Sequence, residues 1–259
     1  PPALLKPSMY ARRCSKNRLL VLPDWNHIDL VLDRMIEAVG RNLTSAGTGA
    51  RRFQIKEDGS RVTLADRAIE RDWRKLITNH FPDHAIVGEE FGGADSESDF
   101  TWFLDPIDGT DDFSRGLPLF GYIIVLTKKG APIAAATGHP SLGIELRALK
   151  GQGVRVNGGL VDAFQGAPSS DPAIAMPSLD DFRRDTDESA VMVSLGRRFG
   201  NYRVYRNLFA HTAVIRGALD AGLEFDVARW DFMATRLMIE EAGGRFVYFR
   251  RVSDGNSQK

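Results

Sequence analysis

The chain has 259 residues, of which 43% are hydrophobic and 26% are charged, a composition ordinary for a globular protein with one large core or two smaller ones. Its 34 Lys and Arg residues balance its 34 Asp and Glu residues, so net charge favours neither a nucleic-acid nor a membrane partner, and a small partner is expected. The single cysteine, Cys14, excludes an intrachain disulfide, and no apolar run approaches the ~20 residues of a membrane span.

The N-terminal segment is basic. Five Lys or Arg residues precede Asp24, the first acidic residue of the chain. We expect residues 1–24 to be a flexible basic tail of a cytoplasmic protein, with an organellar transit segment as the alternative.

Two amphipathic helices are predicted next. Apolar residues recur at three- and four-residue spacing over residues 28–43, after a cap at Asp24 or Asn26. The polar segment that follows is expected to be a loop or a hairpin, with EDGS as its turn. Thr63 then caps a second helix, which has Asp66 at the capping-box position and ends near HFPD.

Short apolar runs bounded by turn residues come after these helices and indicate strands. Five such runs precede the second half of the chain: AIVG, FTWFL, YIIVLT, PIAAAT and IELRAL. The second half begins near Gly151 and contains a Pro/Ser/Asp-rich stretch over residues 166–187. Helices are predicted there over residues 207–219 and 231–242, and strands at GLEFDV and RFVYF. This order of elements predicts a layered α+β fold.

An unusual concentration of acidic residues occurs in the motif FLDPIDGTDDF. Four carboxylates fall within eight positions: Asp105, Asp108, Asp111 and Asp112. Like charges this close cannot all stay ionised without compensation, and no Lys or Arg lies between Lys75 and Arg115. A ligand set of oxygens, with the five histidines scattered, favours a hard divalent cation such as Mg²⁺, Mn²⁺ or Ca²⁺.

The context of this motif suggests phosphate chemistry. Pro106 is expected to end the strand, so that Asp105 and Asp108 project from its C-terminal end. Gly109 permits a tight turn in which the N–H groups of Gly109 and Thr110 face an anion. Carboxylates for a metal beside such a turn favour phosphoryl transfer, and an ordinary surface turn is the alternative.

Four segments of the chain, in this order and spacing, resemble the inositol monophosphatase family. They are DGSRVTLAD (58–66), GEE (88–90), FLDPIDGTDDF (103–113) and WD (230–231) before a helix ending EEAGG. That family comprises lithium-sensitive, magnesium-dependent phosphomonoesterases related to fructose-1,6-bisphosphatase. The resemblance spans about residues 25–249 and implies a layered α-β-α-β-α sandwich. It also implies a homodimer, an N-terminal half (25–150) with most metal ligands, and a C-terminal half (151–259) with Asp231 and the substrate contacts.

The resemblance implies two or three Mg²⁺ ions per site, with Mn²⁺ as the alternative. Glu89, Asp105 and the Ile107 carbonyl would hold one ion, and Glu89 would thereby take part in catalysis. Asp105, Asp108 and Asp231 would hold a second ion, with Asp108 also bordering the phosphate. From the residues alone, only one of the two glutamates after AIVG is expected to face this site, because side chains alternate along a strand. A carboxylate at a helix start, as at Asp231, also has a simple electrostatic explanation.

Five further roles are implied around the substrate. Asp66 would lie near a third metal and act with Thr110 on the attacking water, although a capping box alone explains an aspartate there. The backbone of Gly109 and Thr110 would hold the phosphate. Glu224 would contact a substrate hydroxyl, or be an ordinary glutamate on a strand surface. Arg206 ends the basic and aromatic run RRFGNYRVYR, which would meet an anionic part of the substrate or form a solvated surface.

Three differences from the family pattern bear on the substrate. Asp112 stands where the family usually has asparagine, which adds a negative charge to the loop. Met233 and Thr235 replace small residues after WD. The sequence YRNLFAHT (205–212) replaces a loop of small residues that often binds substrate, so the substrate is left open.

The sequence therefore predicts a Mg²⁺-dependent phosphomonoesterase that uses metal-activated water on a small phosphorylated metabolite similar to inositol monophosphate. Histidinol phosphate and sugar or nucleotide bisphosphates are the alternatives within the family. A catalytically inactive, metal-binding regulatory homologue is the alternative from another class. Nucleic-acid binding by the arginine-rich run ranks below both, because the chain has no net charge.

Overall fold

The computed structural model describes most of the chain between residues 23 and 248. The described ranges are 23–46, 49, 51–57, 59–93, 98–161, 170–176, 188–225 and 227–248. The predictions for the tail and for most of the Pro/Ser/Asp-rich stretch, and Asp58 of the EDGS turn, lie outside these ranges. Within them, no helix has the length and apolar character needed to cross a membrane.

The described residues form six helices and twelve strands. The helices are α1 (Trp25–Ala46), α2 (Leu64–His80), α3 (Thr110–Arg115), α4 (Glu188–Arg198), α5 (Asn207–Ile215) and α6 (Arg229–Glu241). The strands are β1 (Phe53–Ile55), β2 (Arg61–Thr63), β3 (Ala85–Gly88), β4 (Phe100–Asp108), β5 (Gly121–Lys128), β6 (Ala131–His139), β7 (Ile144–Leu149), β8 (Val154–Val156), β9 (Gly159–Leu160), β10 (Ile174–Met176), β11 (Tyr202–Val204) and β12 (Ala221–Gly222).

The helix starts follow the local sequence signals. The N–H of His27 donates to Asp24 Oδ1 at 3.1 Å, so Asp24 is the cap of α1. At the start of α2, Thr63 and Asp66 form the capping box, in which the N–H of Thr63 donates to Asp66 Oδ2 at 2.6 Å. The segment between α1 and α2 contains the antiparallel hairpin β1–β2. Local hydrogen bonding thus accounts for the first part of the fold.

Three sheets organise the described residues. The largest has seven strands in the order β3-β4-β5-β6-β7-β8-β9, and only its β3–β4 pair is parallel. A second, parallel sheet has the order β11-β10-β12, and β1–β2 is the third. The site described below is therefore built from β4, near one edge of the large sheet.

The side-chain alternation of the strands builds a stack of layers. On β4, Trp102 and Leu104 pack against α1 and α2, whereas Phe103 faces the opposite way, toward α5 and α6. On β10, Ala175 packs against α5, whereas Ile174 and Met176 pack against α4. The order of layers is therefore helices, large sheet, helices, small sheet, helix, which confirms the α-β-α-β-α prediction.

The end of β4 differs from the prediction. Pro106 does not end β4, which continues to Asp108 against β5. The register shifts between Asp105 and Asp108 instead, because a bulge accommodates a proline that cannot donate to the ladder. The consequence for the site is that both aspartates are held by the sheet itself.

The C-terminal half departs further from the predictions. GLEFDV contributes only Gly222 to a strand, since the chain leaves the small sheet after the N–H of Leu223 donates to Ala175 O. Residues 245–248 of RFVYF form no strand, because the Phe246 ring packs on α6 instead. Of the predicted helices, one ends four residues early, at Ile215, and the other begins two residues early. Neither α4 nor β11 was expected.

Candidate active site

The turn between β4 and α3 places two carboxylates in the interior. Asp105 is 2% exposed, and Asp108 follows it across the bulge of β4. Gly109 begins α3 with φ of +81°, a conformation that other residues rarely adopt. A Cβ at Gly109 would also lie 3.0 Å from Asn207 Nδ2, so a glycine lets the turn approach the start of α5.

One strand and two helices bring together a cluster of three aspartates. The carboxylate oxygens of Asp105, Asp108 and Asp231 lie within 4.8 Å of one another, and we call these residues the aspartate cluster. The N–H of Leu208, in α5, donates to Asp108 Oδ2 at 2.5 Å. Asp231 lies in the first turn of α6 and accepts the N–H of Ala228 at 2.8 Å. Asp231, which lies 123 positions after Asp108 in the sequence, is thus held near Asp108 by elements that pack on one sheet.

The negative charge of the aspartate cluster is only partly offset within the described residues, where the charge of His211 acts to lower the pKa values of Asp108 and Asp231. Among the described residues, Asp105 Oδ1 is a buried oxygen without a hydrogen-bond partner. Burial, followed by the charges of Glu89, Asp108 and Asp231, raises the pKa of Asp105 well above its usual range. Burial and the neighbouring carboxylates likewise raise the pKa of Asp108, and burial raises that of Asp231 to about 7. An all-oxygen donor set with uncompensated negative charge fits a hard divalent cation.

A second cluster of acidic side chains lies beside the aspartate cluster, and basic side chains pair with it. We call Glu70, Glu89 and Glu90 the glutamate cluster. Lys56 Nζ lies 2.9 Å from Glu89 Oε1 and 2.8 Å from Glu90 Oε1, so both glutamates after β3 meet one ammonium. Burial raises the pKa of Glu90 to about 7. Glu89 also acts on Asp105 through its charge, so it lies between Lys56 and the aspartate cluster.

Lys56 and Glu70 are residues that the sequence analysis missed. Glu70 is fully buried on α2, where it accepts the N–H of Glu90 at 2.8 Å and pairs with Arg74 at 2.8 Å. A Cβ at Gly88 would lie 2.1 Å from Glu70 Oε1, so a glycine is required for this approach. Glu70 therefore fixes the backbone that carries Glu89. The sequence did contain a signal for Glu70, because this charged residue falls among the apolar positions of α2 that face the core.

The other two carboxylates of the acidic motif have different surroundings. Asp111 pairs with Arg61 at 3.0 Å and with Arg115 at 2.8 Å, on the surface. Asp111 therefore finds its cations outside the stretch that has no Lys or Arg, in Arg115 at its end and in Arg61, which the hairpin brings to it. Burial raises the pKa of Asp112, and the charge of Arg206 opposes that shift.

Asp66 and Thr110 meet at the edge of the site. Thr110 Oγ1 donates to the Ile107 carbonyl at 2.9 Å and lies 3.4 Å from Asp66 Oδ1. The other oxygen of Asp66 belongs to the capping box with Thr63, so the same side chain caps α2 and contacts Thr110. Burial raises the pKa of Asp66 to about 6, although hydrogen bonds from Thr63 oppose the shift.

A cavity of about 150 Å³ adjoins the aspartate cluster. Asp108 and Asp231 line it together with Asn207, His211 and Glu224. Glu224 thus lies in the cavity wall, where its Oε2 is 2.6 Å from His211 Nε2, and its contact with a substrate hydroxyl stays a prediction. His211 and Asn207 were named in the sequence only as parts of a replaced loop.

Arg206 has a different position. It is exposed, directly precedes α5 and is outside the lining of the cavity. Its contact with substrate remains a prediction. Arg197 and Arg198 lie in the last turn of α4, and Arg203 lies on the exposed strand β11.

Comparisons with known proteins agree with this geometry. A model of the inositol monophosphatase family matches residues 27–253. The histidinol-phosphatase of Mycobacterium tuberculosis is 31% identical over 227 residues, which cover 85% of this chain and 87% of that protein. The fructose-1,6-bisphosphatase/inositol-1-monophosphatase of Aquifex aeolicus is 31% identical over 199 residues, or 73% of this chain and 74% of the relative.

The fold is also similar to solved structures. The IMPase of Thermotoga maritima superposes with a TM-score of 0.72 at 25% identity, over 84% of each chain. The family match spans far more than half of the sequence, and the two relatives named above are phosphatases. The chain therefore belongs to the inositol monophosphatase family.

Proposed function

We propose that the chain is a Mg²⁺-dependent phosphomonoesterase that hydrolyses a small phosphorylated metabolite. The observation that supports this most strongly is the aspartate cluster, in which the buried Asp105 Oδ1 has no partner among the described residues. Oxygen ligands of this kind suit Mg²⁺, with Mn²⁺ as the second choice. Family membership adds that the relatives named above are phosphatases.

The proposed metal ligands form two sets that share Asp105. Glu89, Asp105 and the Ile107 carbonyl would hold one ion, and the aspartate cluster would hold a second. Mg²⁺ bound there supplies charge that stabilises the incoming and leaving oxygens of an in-line displacement and acidifies the attacking water. The Ile107 carbonyl accepts a hydrogen bond from the Thr110 hydroxyl at 2.9 Å.

The protein's own groups would handle the proton and the phosphate. Asp66, whose pKa is about 6, is largely ionised at neutral pH and lies 3.4 Å from the Thr110 hydroxyl. The pair can therefore orient the attacking water and accept a proton from it. The turn at Gly109 and Thr110 would present N–H groups to the phosphate, directly after Asp108. Glu224 would contact the alcohol part of the substrate from the cavity wall.

A second substrate has independent support. The Mycobacterium tuberculosis relative, at 31% identity, is named a histidinol-phosphatase. Histidinol phosphate carries an ammonium group, whereas inositol monophosphate is a neutral polyol apart from its phosphate. The position of Glu224 in the cavity wall does not distinguish between these two substrates.

Three wider properties are proposed on the family resemblance. We infer a homodimer, inhibition by lithium and a cytoplasmic location. Size-exclusion chromatography with light scattering tests the first, and activity in LiCl against NaCl of equal ionic strength tests the second. Fluorescence microscopy of the full chain in its own cells tests the third.

A phosphate-release screen over a panel of phosphomonoesters tests the proposed function. We expect turnover with Mg²⁺ and no turnover with EDTA, because the carboxylates need a cation to approach a phosphate. Equal activity in EDTA would contradict the metal mechanism. Binding of Mg²⁺ without turnover of any ester would favour a non-catalytic, metal-binding homologue.

A further inference from the structure

A buried histidine that has no part in the proposed chemistry lies at the end of β6. His139 is 0% exposed, and both nitrogens of its ring have hydrogen-bond partners. Nδ1 lies 3.0 Å from the carbonyl oxygen of Phe120, just before β5, and Nε2 lies 2.9 Å from Thr212 Oγ1 in α5. The ring of Phe209, also in α5, packs on the imidazole in a T-shaped arrangement with 5.6 Å between the ring centroids. His139 therefore connects the start of β5 to α5.

The partner of Nδ1 defines how this ring is protonated. A carbonyl oxygen can only accept, so Nδ1 carries a proton and donates it to Phe120. Burial lowers the pKa of His139, and although the hydrogen bond to Phe120 opposes that shift, the charges of Arg216 and His211 add to it. The ring is therefore neutral at neutral pH, and its Nε2 accepts from the Thr212 hydroxyl.

The two elements that the histidine connects both contact the turn after β4. A Cβ at Gly109 would lie 3.0 Å from Asn207 Nδ2, in the first residue of α5, and 3.5 Å from the Cα of Phe120. Leu208, the next residue of α5, donates its N–H to Asp108 Oδ2 at 2.5 Å. The spacing between β5 and α5 therefore sets both the room around the turn and the hydrogen bond to Asp108.

A glycine allows the ring, β5 and α5 to meet closely. A Cβ at Gly121 would lie 2.6 Å from Leu208 Cδ2 and 3.1 Å from His139 Nδ1. Gly121 is also the residue that pairs with Asp108 in the ladder between β4 and β5. Apolar packing of Leu208 has no preferred direction, whereas the two hydrogen bonds of the imidazole give this junction a defined spacing.

We propose that His139 is a positioning residue for phosphate binding, which holds β5 and α5 at the spacing at which the turn of Gly109 and Thr110 receives the phosphate. The inference rests on the proposed function, which puts the phosphate at that turn, and deepens it by adding a residue that the substrate does not touch. His139 is outside the lining of the cavity, so it acts through Phe120 and Thr212.

A matched pair of variants, Thr212→Val and Thr127→Val, tests the proposal. Both threonines are 1% exposed, and each substitution removes one hydroxyl group. Thr212 bonds His139, whereas the Thr127 hydroxyl donates to the Thr101 carbonyl at 3.1 Å, at the opposite end of β5. Titration calorimetry of the full-length protein with inorganic phosphate, at a fixed Mg²⁺ concentration, measures binding. We expect the dissociation constant to rise about fivefold in Thr212→Val and to stay within about twofold of the original in Thr127→Val.

Steady-state kinetics extend the test to turnover and to His139 itself. In His139→Leu, kcat/KM should fall about tenfold or more, because a displaced turn misplaces the reacting group. The factor should be the same for inositol 1-phosphate, histidinol phosphate and p-nitrophenyl phosphate, since the turn meets the phosphate that these esters share. Urea denaturation gives the folded fraction of each variant, and rates are compared per folded molecule. Thr212→Val decides the question if His139→Leu does not fold.

The outcomes separate this proposal from the proposed function. A phosphate dissociation constant within twofold of the original in folded Thr212→Val, or an equal rise in Thr127→Val, overturns the positioning role alone. A loss of kcat/KM that differs among the esters turned over also overturns it, because the effect would then lie at the alcohol part of the substrate.

The proposed function fails in a different way. Phosphate binding that weakens in Thr212→Val, in a protein that releases phosphate from none of the three esters, overturns the phosphatase function and supports the positioning role. An unaltered protein that does not bind inorganic phosphate at any Mg²⁺ concentration overturns both.

Discussion

The aspartate cluster and the glutamate cluster are both buried groups of three carboxylates, yet they are compensated in different ways. In the glutamate cluster, Lys56 meets two of the side chains and Arg74 meets the third. In the aspartate cluster, Asp105 has a buried oxygen with no partner among the described residues. The described residues therefore balance the glutamate cluster with Lys56 and Arg74 and leave a buried, unpartnered oxygen in the aspartate cluster, where we propose that a metal ion binds.

The largest expected effect comes from removing one charge of the aspartate cluster. Asp108→Asn should lower kcat/KM for phosphate release at least about 10²-fold, as when a single electrostatic contact to a transition state is lost. The matched control is Asp111→Asn, three residues away, because Asp111 pairs with arginines on the surface. That variant should stay within about twofold of the original. Equal losses in the two variants would remove the distinction between the cluster and the rest of the motif.

The stability of the metal-free protein should depend on pH because of the aspartate cluster. The pKa of Asp231 is raised from 3.8 to about 7, so the folded state binds more protons than the unfolded state between these values. Stability in EDTA therefore falls as pH rises from about 4 through about 7. Asp231 alone contributes about 4 kcal/mol to this fall, and the raised pKa values of Asp105 and Asp108 add to it.

Urea denaturation in EDTA across this pH range measures the effect. Added Mg²⁺ should restore most of the lost stability at the alkaline end, because it binds the ionised carboxylates of the folded state. Stability that rises with pH in EDTA would show that the cluster is compensated by the protein after all.

A smaller effect is expected from the residue that supports the glutamate cluster. Glu70→Gln should cost about 3 kcal/mol of unfolding free energy, because the buried partner of Arg74 loses its charge. It should also raise the Mg²⁺ concentration for half-maximal activity about tenfold, since Glu70 fixes the backbone next to Glu89. Urea denaturation and Mg²⁺ titration of phosphate release measure the two effects.

The control for Glu70 is a pair of the same spacing on the surface. Glu240 and Arg236 are also four residues apart, at 2.9 Å, but both side chains are more than a third exposed. Glu240→Gln should change the unfolding free energy by less than about 0.5 kcal/mol and leave the Mg²⁺ response unaltered. A comparable loss in both variants would mean that burial does not distinguish the pairs.

The smallest expected effect comes from removing the internal cation. Lys56→Gln should lower the unfolding free energy by about 1–3 kcal/mol, because Glu89 and Glu90 then lose a charged donor in a mostly buried place. The loss should shrink at low pH, since Glu90, with a pKa of about 7, becomes protonated there. Lys129→Gln is the control, as its 3.6 Å pair with Asp99 is exposed. Chemical denaturation at two pH values distinguishes these results.

Much of the local structure was predictable because short-range signals specify it. The cap of α1 at Asp24 and the capping box at the start of α2 depend on residues within one turn of helix. Strand β7 occupies the six residues of the predicted run IELRAL. The prediction was wrong where a contact with another element decides the structure. RFVYF has the sequence pattern of a strand, but its Phe246 packs on Phe232 of α6.

The sequence by itself predicted the kind of chemistry, because FLDPIDGTDDF favours oxygen ligands beside a turn, and GEE and WD joined that prediction through the family resemblance. Only the tertiary structure decided how those charges are balanced. Lys56 reaches Glu89 across 33 positions, and Arg61 reaches the acidic motif from the hairpin. His211 meets Glu224 because the chain leaves the small sheet after Gly222 and turns into the cavity. Electrostatic energy depends on distances in space, and those are set by the packing of helices on the sheets, which local sequence does not encode.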